Sequence, residues 1–314
     1  MRPYSRRRAL TAIAAAPAAL AALQPAGAQE ATLKTGTSPT DAYAAPLYFA
    51  PSGIGAKAGI TLDVSLFSSS TATAAGCASG ALDIGVADPI AVANGVVHGI
   101  PFRVLAACSV YTGVTTSYVC TARSSNISTA KDLNGATMGT VTVSSSVAFV
   151  AVRAWLAAGG ADLASIKFVE MPYAAMAAAI ERGTIAAASI AEPFLSQLPA
   201  GVRKLANPNE ALGGRYATSV WFTTATWLER NAALARRLIA TIYDVARWSN
   251  AHQAETAPVL AAATHLDPER AKSMQRAVFV TAPEPGPIAL SLAAAVKSGV
   301  LTRAVDTAEL LAAP

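Results

Sequence analysis

The stretch Gly80-Ala81-Leu82-Asp83-Ile84-Gly85-Val86-Ala87-Asp88-Pro89 places a short apolar strand directly before the start of a helix. Mostly apolar residues at 81–87 predict the strand. Aspartate at an N-cap, with proline in the first helical turn, predicts a helix that begins at Pro89. The same order returns after Gly183, where a second apolar strand leads into Glu192-Pro193. The sequence therefore predicts two similar halves, each with a helix that starts at the end of a strand.

Strands and helices alternate along the chain on both sides of this stretch. Besides the two strands above, we predict strands at residues 31–36, 61–67, 102–107, 116–122, 136–140, 166–171, 203–206 and 218–223. Single helices between most of these strands indicate βαβ units and largely parallel sheets. Beyond them the pattern is almost entirely helical, with predicted helices at 226–250, 251–263, 268–278 and 288–298.

The first 28 residues have the composition of an export signal. A basic start precedes an apolar run over 9–23, and the small residues Ala26 and Ala28 form a cleavage site. Ser5-Arg6-Arg7 with Leu10 resembles a twin-arginine signal, and a general secretory signal with extra arginines is the alternative. Either signal predicts a periplasmic protein that is cleaved near Ala28.

Composition excludes several classes of protein. The 314 residues are 53% hydrophobic and 14% charged, which is incompatible with intrinsic disorder. Four of the 24 Lys and Arg lie in the signal, so 20 basic residues stand against 19 acidic ones after position 28. This nearly neutral body gives no basis for nucleic-acid binding. Three cysteines cannot form a disulfide scaffold, and no uninterrupted apolar run is long enough to span a membrane.

Polar turns follow four of the predicted strands, at residues 37–41, 68–71, 88–89 and 142–146. Ligands bind at the carboxyl ends of strands in open α/β sheets. Hydroxyl groups and the free N–H groups of helix N-termini can together bind an anion. Because Ser, Thr and Asp are also common N-caps, each turn has a purely structural alternative. Asp88 and Glu192 are likewise either helix caps or partners for an ammonium or amidine group.

Side chains suited to catalysis are few and are not grouped by spacing. No metal-ligand spacing relates the three histidines, His98, His252 and His265. Small or apolar neighbours favour buried free thiols at Cys77, Cys108 and Cys120. Six aromatic residues are candidates for cleft walls: Tyr43, Tyr48, Tyr111, Tyr173, Tyr216 and Trp221. We therefore expect no catalytic residue, no metal and no cofactor.

Several motifs together resemble the NMT1/SsuA-like group of ABC-transporter periplasmic solute-binding proteins, over residues 31–250. They are the stretch from Ala78 to Pro89, Gly99-Ile100-Pro101-Phe102-Arg103-Val104-Leu105-Ala106, Lys131-Asp132-Leu133-Asn134-Gly135 and Ala191-Glu192-Pro193-Phe194. The resemblance implies the type II periplasmic binding protein fold, which is an α/β fold with two lobes joined by two crossing hinge strands. We expect those strands near 117–121 and 217–222, and a helical C-terminal region packed on lobe 1. The expected division is export signal 1–28, lobe 1 at 29–118, lobe 2 at 119–216, and a return to lobe 1 with the C-terminal helices at 217–314.

The resemblance also implies a ligand shell in the polar turns. Its members are Ser38, Thr40, Ser69, Ser70, Asp88, Thr112, Ser144, Ser145, Ser146 and Glu192. Asp41, Tyr43 and Tyr216 complete the predicted binding set. Some features depart from the group, since residues 51–56 lack the usual charges and the cysteine run of the pyrimidine-synthase relatives is absent. The predicted cleft turns also lack arginine, which argues against a tightly held dianion.

We therefore expect a monomeric solute-binding component of an ABC importer, whose partners are a small-molecule ligand and the permease in the inner membrane. The expected ligand is a small organic anion, such as an aliphatic sulfonate, captured by hinge closure. Three alternatives stay open. One is an uncharged or cationic heteroaromatic solute paired with Glu192, another is an exported enzyme that uses Cys108 or Glu192, and the third is a sensory module that signals to a kinase.

Overall fold

The structure, a computed structural model, describes residues 30–114 and 116–312. The predicted export signal lies outside the described residues. Within them, the strands form one sheet of six strands and one of five, with helices packed against both. We call the six-stranded sheet with its helices lobe 1 and the five-stranded sheet with its helices lobe 2. This arrangement confirms the predicted α/β architecture of two lobes.

Lobe 1 contains the strands β1 (Ala31–Thr37), β2 (Ile60–Leu66), β3 (Ile84–Ala87), β4 (Phe102–Tyr111), β10 (Tyr216–Thr224) and β11 (Val278–Phe279). Their order in the sheet is β11-β4-β10-β3-β1-β2. β1 runs parallel to β2 and β3, as the βαβ pattern predicts. β10 runs antiparallel between β3 and β4, because it returns from lobe 2 in the opposite direction. The sheet is therefore mixed and not largely parallel.

Lobe 2 contains the strands β5 (Ser117–Ala122), β6 (Thr137–Thr140), β7 (Lys167–Glu170), β8 (Ala187–Ala191) and β9 (Val202–Ala206). Their order is β7-β6-β8-β5-β9. β6 runs parallel to β7 and β8, whereas β5 runs antiparallel to β8 and β9. Both lobes thus have three parallel strands whose carboxyl ends meet at one edge of the sheet.

The α-helices of the described residues are α1 (Phe49–Ser52), α2 (Ile54–Lys57), α3 (Ser70–Ala78), α4 (Pro89–Val97), α5 (Val147–Ala158), α6 (Tyr173–Glu181), α7 (Ala225–Arg230), α8 (Ala232–Ala251), α9 (Gln253–Thr264), α10 (Pro268–Ser273), α11 (Gly286–Lys297) and α12 (Thr307–Leu310). The predicted start of α4 at Pro89 is confirmed, with Asp88 as its N-cap. Gly183 follows α6 with a φ of 70°, a backbone conformation that is common where a helix ends. Glu192-Pro193 precedes only a short 3-10 helix, Phe194–Gln197.

The chain crosses between the lobes twice, once between β4 and β5 and once between β9 and β10. The predicted hinge strands at 117–121 and 217–222 lie beyond these crossings, inside the sheets. Their apolar residues are buried in the lobes, with Val119 and Cys120 in lobe 2 and Val220 and Phe222 in lobe 1. The apolar pattern of the sequence therefore predicted the two strands correctly. It did not predict that the chain crosses between the lobes in the polar segments before them.

The C-terminal region packs on lobe 1, as predicted. Leu238 and Ile242 of α8 and Leu292 of α11 belong to the same apolar core as the six-stranded sheet. Leu311 forms a β-bridge with Val104. Two of the predicted helices differ from those in the structure. The helix expected over 226–250 is divided at Asn231 into α7 and α8, and the one over 268–278 ends at Ser273, after which β11 pairs with β4.

Lobe 2 has its own apolar cores on the two faces of its sheet, so each lobe buries its own sheet. All three cysteines are free and buried. Among the helices of the described ranges, none combines the length and the apolar character of a membrane span.

Candidate functional site

A cavity of about 270 Å³ lies where the carboxyl ends of the parallel strands of both sheets face one another. We call it the outer cavity. Lobe 1 contributes the turns after β1, β2 and β3, and lobe 2 contributes the turns after β6 and β7. Its lining consists of Ser38, Pro39, Thr40, Tyr43, Ser68, Ser69, Ser70, Asp88, Val141, Thr142, Ser145, Ser146, Pro172, Tyr173, Ala174 and Phe194.

A second cavity of about 70 Å³, the inner cavity, lies toward the crossing segments. The two cavities share five lining residues, which are Thr40, Tyr43, Asp88, Ser146 and Tyr173. The inner cavity adds a polar set from both lobes that includes Tyr111, Ser117, Glu192, Asn209 and Thr218. The predicted residues Ser38, Thr40, Tyr43, Ser69, Ser70, Asp88, Ser145, Ser146 and Glu192 therefore all line one cavity or both.

Several of the hydroxyls in this set are occupied by bonds within the protein. Ser69 Oγ accepts the Ala72 N–H at 3.2 Å and caps α3. Ser146 Oγ accepts the Ala148 N–H at 3.1 Å and caps α5. Ser70 Oγ accepts the backbone N–H of Asp88 at 3.0 Å. The capping alternative thus describes what these hydroxyls do in the structure.

Two buried hydroxyls of the outer cavity have no hydrogen-bond partner. Ser38 is 8% exposed and Thr40 is 7% exposed, and neither Ser38 Oγ nor Thr40 Oγ1 is bonded. Both follow the carboxyl end of β1. Buried polar groups are nearly always hydrogen-bonded in folded proteins. The hydrogen-bonding capacity of these two hydroxyls is therefore unused in the structure.

The Asp88 carboxylate lies between the two lobes and is 2% exposed. Oδ1 accepts the Ile90 N–H at 2.9 Å within α4. Oδ2 accepts the Val147 N–H at the start of α5 in lobe 2 at 2.9 Å, and the Tyr43 hydroxyl at 3.3 Å. Burial raises the pKa of Asp88 to about 7, although the two backbone N–H groups and Tyr43 oppose this shift.

Glu192 is the second acid of the site and is 4% exposed. Its carboxylate accepts the backbone N–H of Ser196 at 2.9 Å and the Ser196 hydroxyl, also at 2.9 Å. Burial raises the pKa of Glu192, while the bonds from Ser196 oppose the shift. Its backbone carbonyl accepts the N–H of Asp41 at 3.4 Å, which links the lobes.

Aromatic side chains form one wall of the outer cavity. The Tyr173 and Phe194 rings are stacked, with centroids 5.8 Å apart and planes at 21°. Tyr43 lines the cavity from lobe 1. Of the six aromatic candidates, Tyr43, Tyr111 and Tyr173 line a cavity, whereas Tyr48 and Trp221 are buried in the core. Phe194 and Asn209 also line the cavities, although the sequence analysis gave neither of them a ligand role.

The structure places four predicted site residues outside the lining of both cavities. Asp41 is fully buried, and its carboxylate is bound by Arg276 Nε at 3.0 Å and by the Ala277 N–H. Tyr216 is also buried, and its hydroxyl donates to Asn209 Oδ1 at 2.8 Å. Thr112 and Ser144 are exposed. Asp41 and Tyr216 thus support the cavity wall from behind it.

Contacts across the cleft hold the lobes together. Besides the bond between Asp88 and Val147, Thr71 Oγ1 and Ser145 Oγ are hydrogen-bonded at 3.0 Å. Thr71 lies in α3 of lobe 1, and Ser145 lies in the turn before α5 of lobe 2. The described structure is therefore a closed arrangement of the two lobes around the cavities.

The cavity lining carries acids and no bases. Among the described residues that line the two cavities, Asp88 and Glu192 are carboxylates, and none is lysine, arginine or histidine. No cluster of His, Cys, Asp and Glu in the described ranges could hold a metal ion. The polar groups that remain are hydroxyls, amides and helix N-termini.

Comparison with known proteins gives a family and a fold. The profile of the NMT1-like family matches residues 26–264. No curated protein matches the chain. The periplasmic aliphatic sulphonate-binding protein SsuA from Escherichia coli is similar in structure, with a TM-score of 0.74 and 17% identity, over 90% of this chain and 92% of that one.

Two further solved structures share the fold. The periplasmic nitrate-binding protein NrtA from Synechocystis PCC 6803 has a TM-score of 0.73 and 16% identity, over 88% of this chain and 84% of that one. The desulfurization enzyme DSZB has a TM-score of 0.65 and 16% identity, over 90% and 96%. At these identities the structures establish the periplasmic binding protein fold, which occurs in binding proteins and in an enzyme.

Proposed function

Because the chain belongs to the NMT1-like family, we propose that it is the periplasmic solute-binding component of an ABC importer. It captures a small organic solute between its lobes and delivers it to the permease in the inner membrane. The observation that carries this proposal is the outer cavity, which is lined from both lobes and holds the unpartnered hydroxyls of Ser38 and Thr40.

Capture is coupled to the approach of the lobes. A ligand shifts a conformational equilibrium only if it binds one state better than the other. A solute in the outer cavity contacts the turns of lobe 1 around Thr40 and the aromatic wall of lobe 2 around Tyr173. An open state separates these surfaces, so the solute favours closure about the two crossing segments. The permease then distinguishes the closed shape from the open one.

The lining favours an aromatic solute that is uncharged or positively charged. The stacked Tyr173 and Phe194 rings offer a flat apolar surface, and the two carboxylates attract hydrogen-bond donors. An aliphatic sulfonate or a related anion, which the sequence predicted, is the second candidate. The N-terminus of α3 lies at the outer cavity and favours negative charge.

We propose binding without chemical change to the solute. The thiol that sequence reasoning considered as a nucleophile, Cys108, lies outside the lining of both cavities, and burial raises its pKa to about 12. A thiol in that state is protonated at neutral pH and is a poor nucleophile. Glu192, the other residue considered for an enzymatic role, accepts hydrogen bonds from Ser196 through both of its carboxylate oxygens.

The test combines binding with recovery of the solute. A panel of heteroaromatic amines, neutral aromatics and alkanesulfonates is screened by thermal unfolding of the mature protein, since a ligand of the folded state raises its melting temperature. We expect one class to stabilise the protein with one-to-one stoichiometry in calorimetry. Mass spectrometry should then recover the solute unaltered after long incubation. Recovery of a chemically converted solute would contradict the proposal. It would also be contradicted if no class of solute stabilises the protein and no small molecule copurifies with it.

A further inference from the structure

The N-terminus of α5 is already occupied by a carboxylate from the opposite lobe. α5 has twelve residues, and two N–H groups of its first turn are engaged. Ser146 Oγ takes the Ala148 N–H, and Asp88 Oδ2 takes the Val147 N–H at 2.9 Å. A helix N-terminus is a favourable position for an anion. Here the chain supplies that anion itself.

Asp88 also binds the N-terminus of its own helix. Oδ1 accepts the Ile90 N–H at 2.9 Å, so one carboxylate caps α4 in lobe 1 and α5 in lobe 2. An ionised carboxylate has about four lone-pair positions. Three of the lone-pair positions of Asp88 accept hydrogen bonds from Ile90, Val147 and Tyr43. One position is left for a hydrogen-bond donor in the cavity.

A second observation independently points to a ligand at this place. The hydroxyls of Ser38 and Thr40 are buried without partners and line the same cavity as Asp88. The charged and titratable groups of the two linings are Asp88, Glu192, Tyr43, Tyr111 and Tyr173, and the described part of the chain adds no basic side chain to them. A sulfonate placed here would face two carboxylates in a lining without a basic side chain, and the nearby charge of Lys204 acts on Glu192 from outside that lining.

Resting on the function proposed above, we infer that Asp88 is a specificity-determining residue that excludes anionic solutes. Its carboxylate occupies the N-terminus of α5 and repels a second negative charge. The solute therefore presents a hydrogen-bond donor, such as an amine, amidinium or hydroxyl group, to Asp88, and binds Ser38 and Thr40 through its other polar atoms. Selection against anions is a property of this one side chain and not of the fold.

The test measures ethanesulfonate binding by calorimetry at about pH 8, which is above the raised pKa of Asp88. The variant is Asp88→Ser, because serine is also a favoured N-cap for α4 but is too short to reach the Val147 N–H. The control is Asp63→Ser, which removes a carboxylate from β2 outside both cavity linings. We expect no measurable binding to the wild type or the control, and at least about tenfold tighter binding to Asp88→Ser.

Several outcomes would overturn the inference. Tight binding of ethanesulfonate to the wild type would do so without any variant, and it would leave the proposed solute-binding function intact. A folded Asp88→Ser protein, verified by circular dichroism, that gains no affinity would also overturn it. If Asp88→Ser does not fold, Asp88→Asn is measured and judged in the same way. The proposed function fails separately, when no class of solute binds.

Discussion

Replacing Thr40 by valine should change stability and solute affinity in opposite directions. Thr40 Oγ1 is buried at the outer cavity without a partner, and the side chain forms no capping bond. The backbone of Thr40 is extended, with φ −135° and ψ 153°, which a β-branched residue adopts readily. Valine has nearly the same shape, so the substitution removes the hydroxyl and leaves the packing in place.

The sizes of the two effects follow from the hydrogen bonding of the Thr40 hydroxyl without and with bound solute. In the closed, solute-free protein an unpaired buried hydroxyl costs about 1–3 kcal/mol, so its removal should raise the free energy of unfolding from that closed state by about 1 kcal/mol. That gain corresponds to an increase in melting temperature of about 2–4 °C. In the complex the variant lacks one hydrogen bond worth about 0.5–1.5 kcal/mol. Solute affinity should therefore fall roughly 2- to 13-fold.

Denaturant unfolding of the solute-free protein and calorimetry with the bound solute measure the two effects. The matched control is Thr223→Val, because Thr223 Oγ1 is buried and donates to the Asp83 carbonyl at 2.6 Å. This control should be destabilised by about 1 kcal/mol and should bind the solute like the wild type. If Thr40→Val is destabilised as much as the control, or keeps full affinity, then Thr40 does not serve the solute.

Three further predictions follow from the same structure. Asp41→Asn leaves the guanidinium of Arg276 buried without its carboxylate, and urea unfolding should show a loss of about 3–5 kcal/mol; a loss below about 1 kcal/mol would contradict the buried ion pair. The pKa of Asp88 rises from 3.8 to about 7 on folding, so the folded state binds this proton more tightly and stability should fall as pH rises between those values. Unfolding at several pH values should show this slope flattened in Asp88→Asn, and an unchanged slope would exclude Asp88 as its source. Phe194→Ala should weaken an aromatic solute by about 0.5–1.5 kcal/mol in calorimetry through lost stacking, and an equal loss for an aliphatic solute would argue against the aromatic wall.

The parts of the fold that depend on local signals could be predicted from sequence. The strand before Asp88 and the helix that starts at Pro89 follow from apolar pattern and cap chemistry within a few residues. The hydroxyls of Ser69 and Ser146 lie where helix starts were expected. These helix starts depend on capping bonds between residues that are close in sequence, and not on contacts with distant parts of the chain.

Positions that depend on distant partners could not be predicted in this way. Asp41 lies in a polar turn that suits ligand binding, yet its carboxylate is bound by Arg276, which is 235 residues further along the chain. The strand β10 was predicted, but its antiparallel insertion between β3 and β4 depends on the return of the chain from lobe 2. Phe194 gains a role only because Tyr173 stacks on it.

The central claim is that solute enters and leaves through the opening between the lobes. Thr71 and Ser145 face each other across that opening with their side-chain oxygens 3.0 Å apart, so the double variant Thr71→Cys, Ser145→Cys should form a disulfide that locks the lobes. The double variant is prepared without solute, and its oxidised and reduced forms are then titrated with the solute by calorimetry. This is the most direct measurement. The account predicts binding by the reduced form and none by the oxidised form. Equal binding by both forms would contradict it.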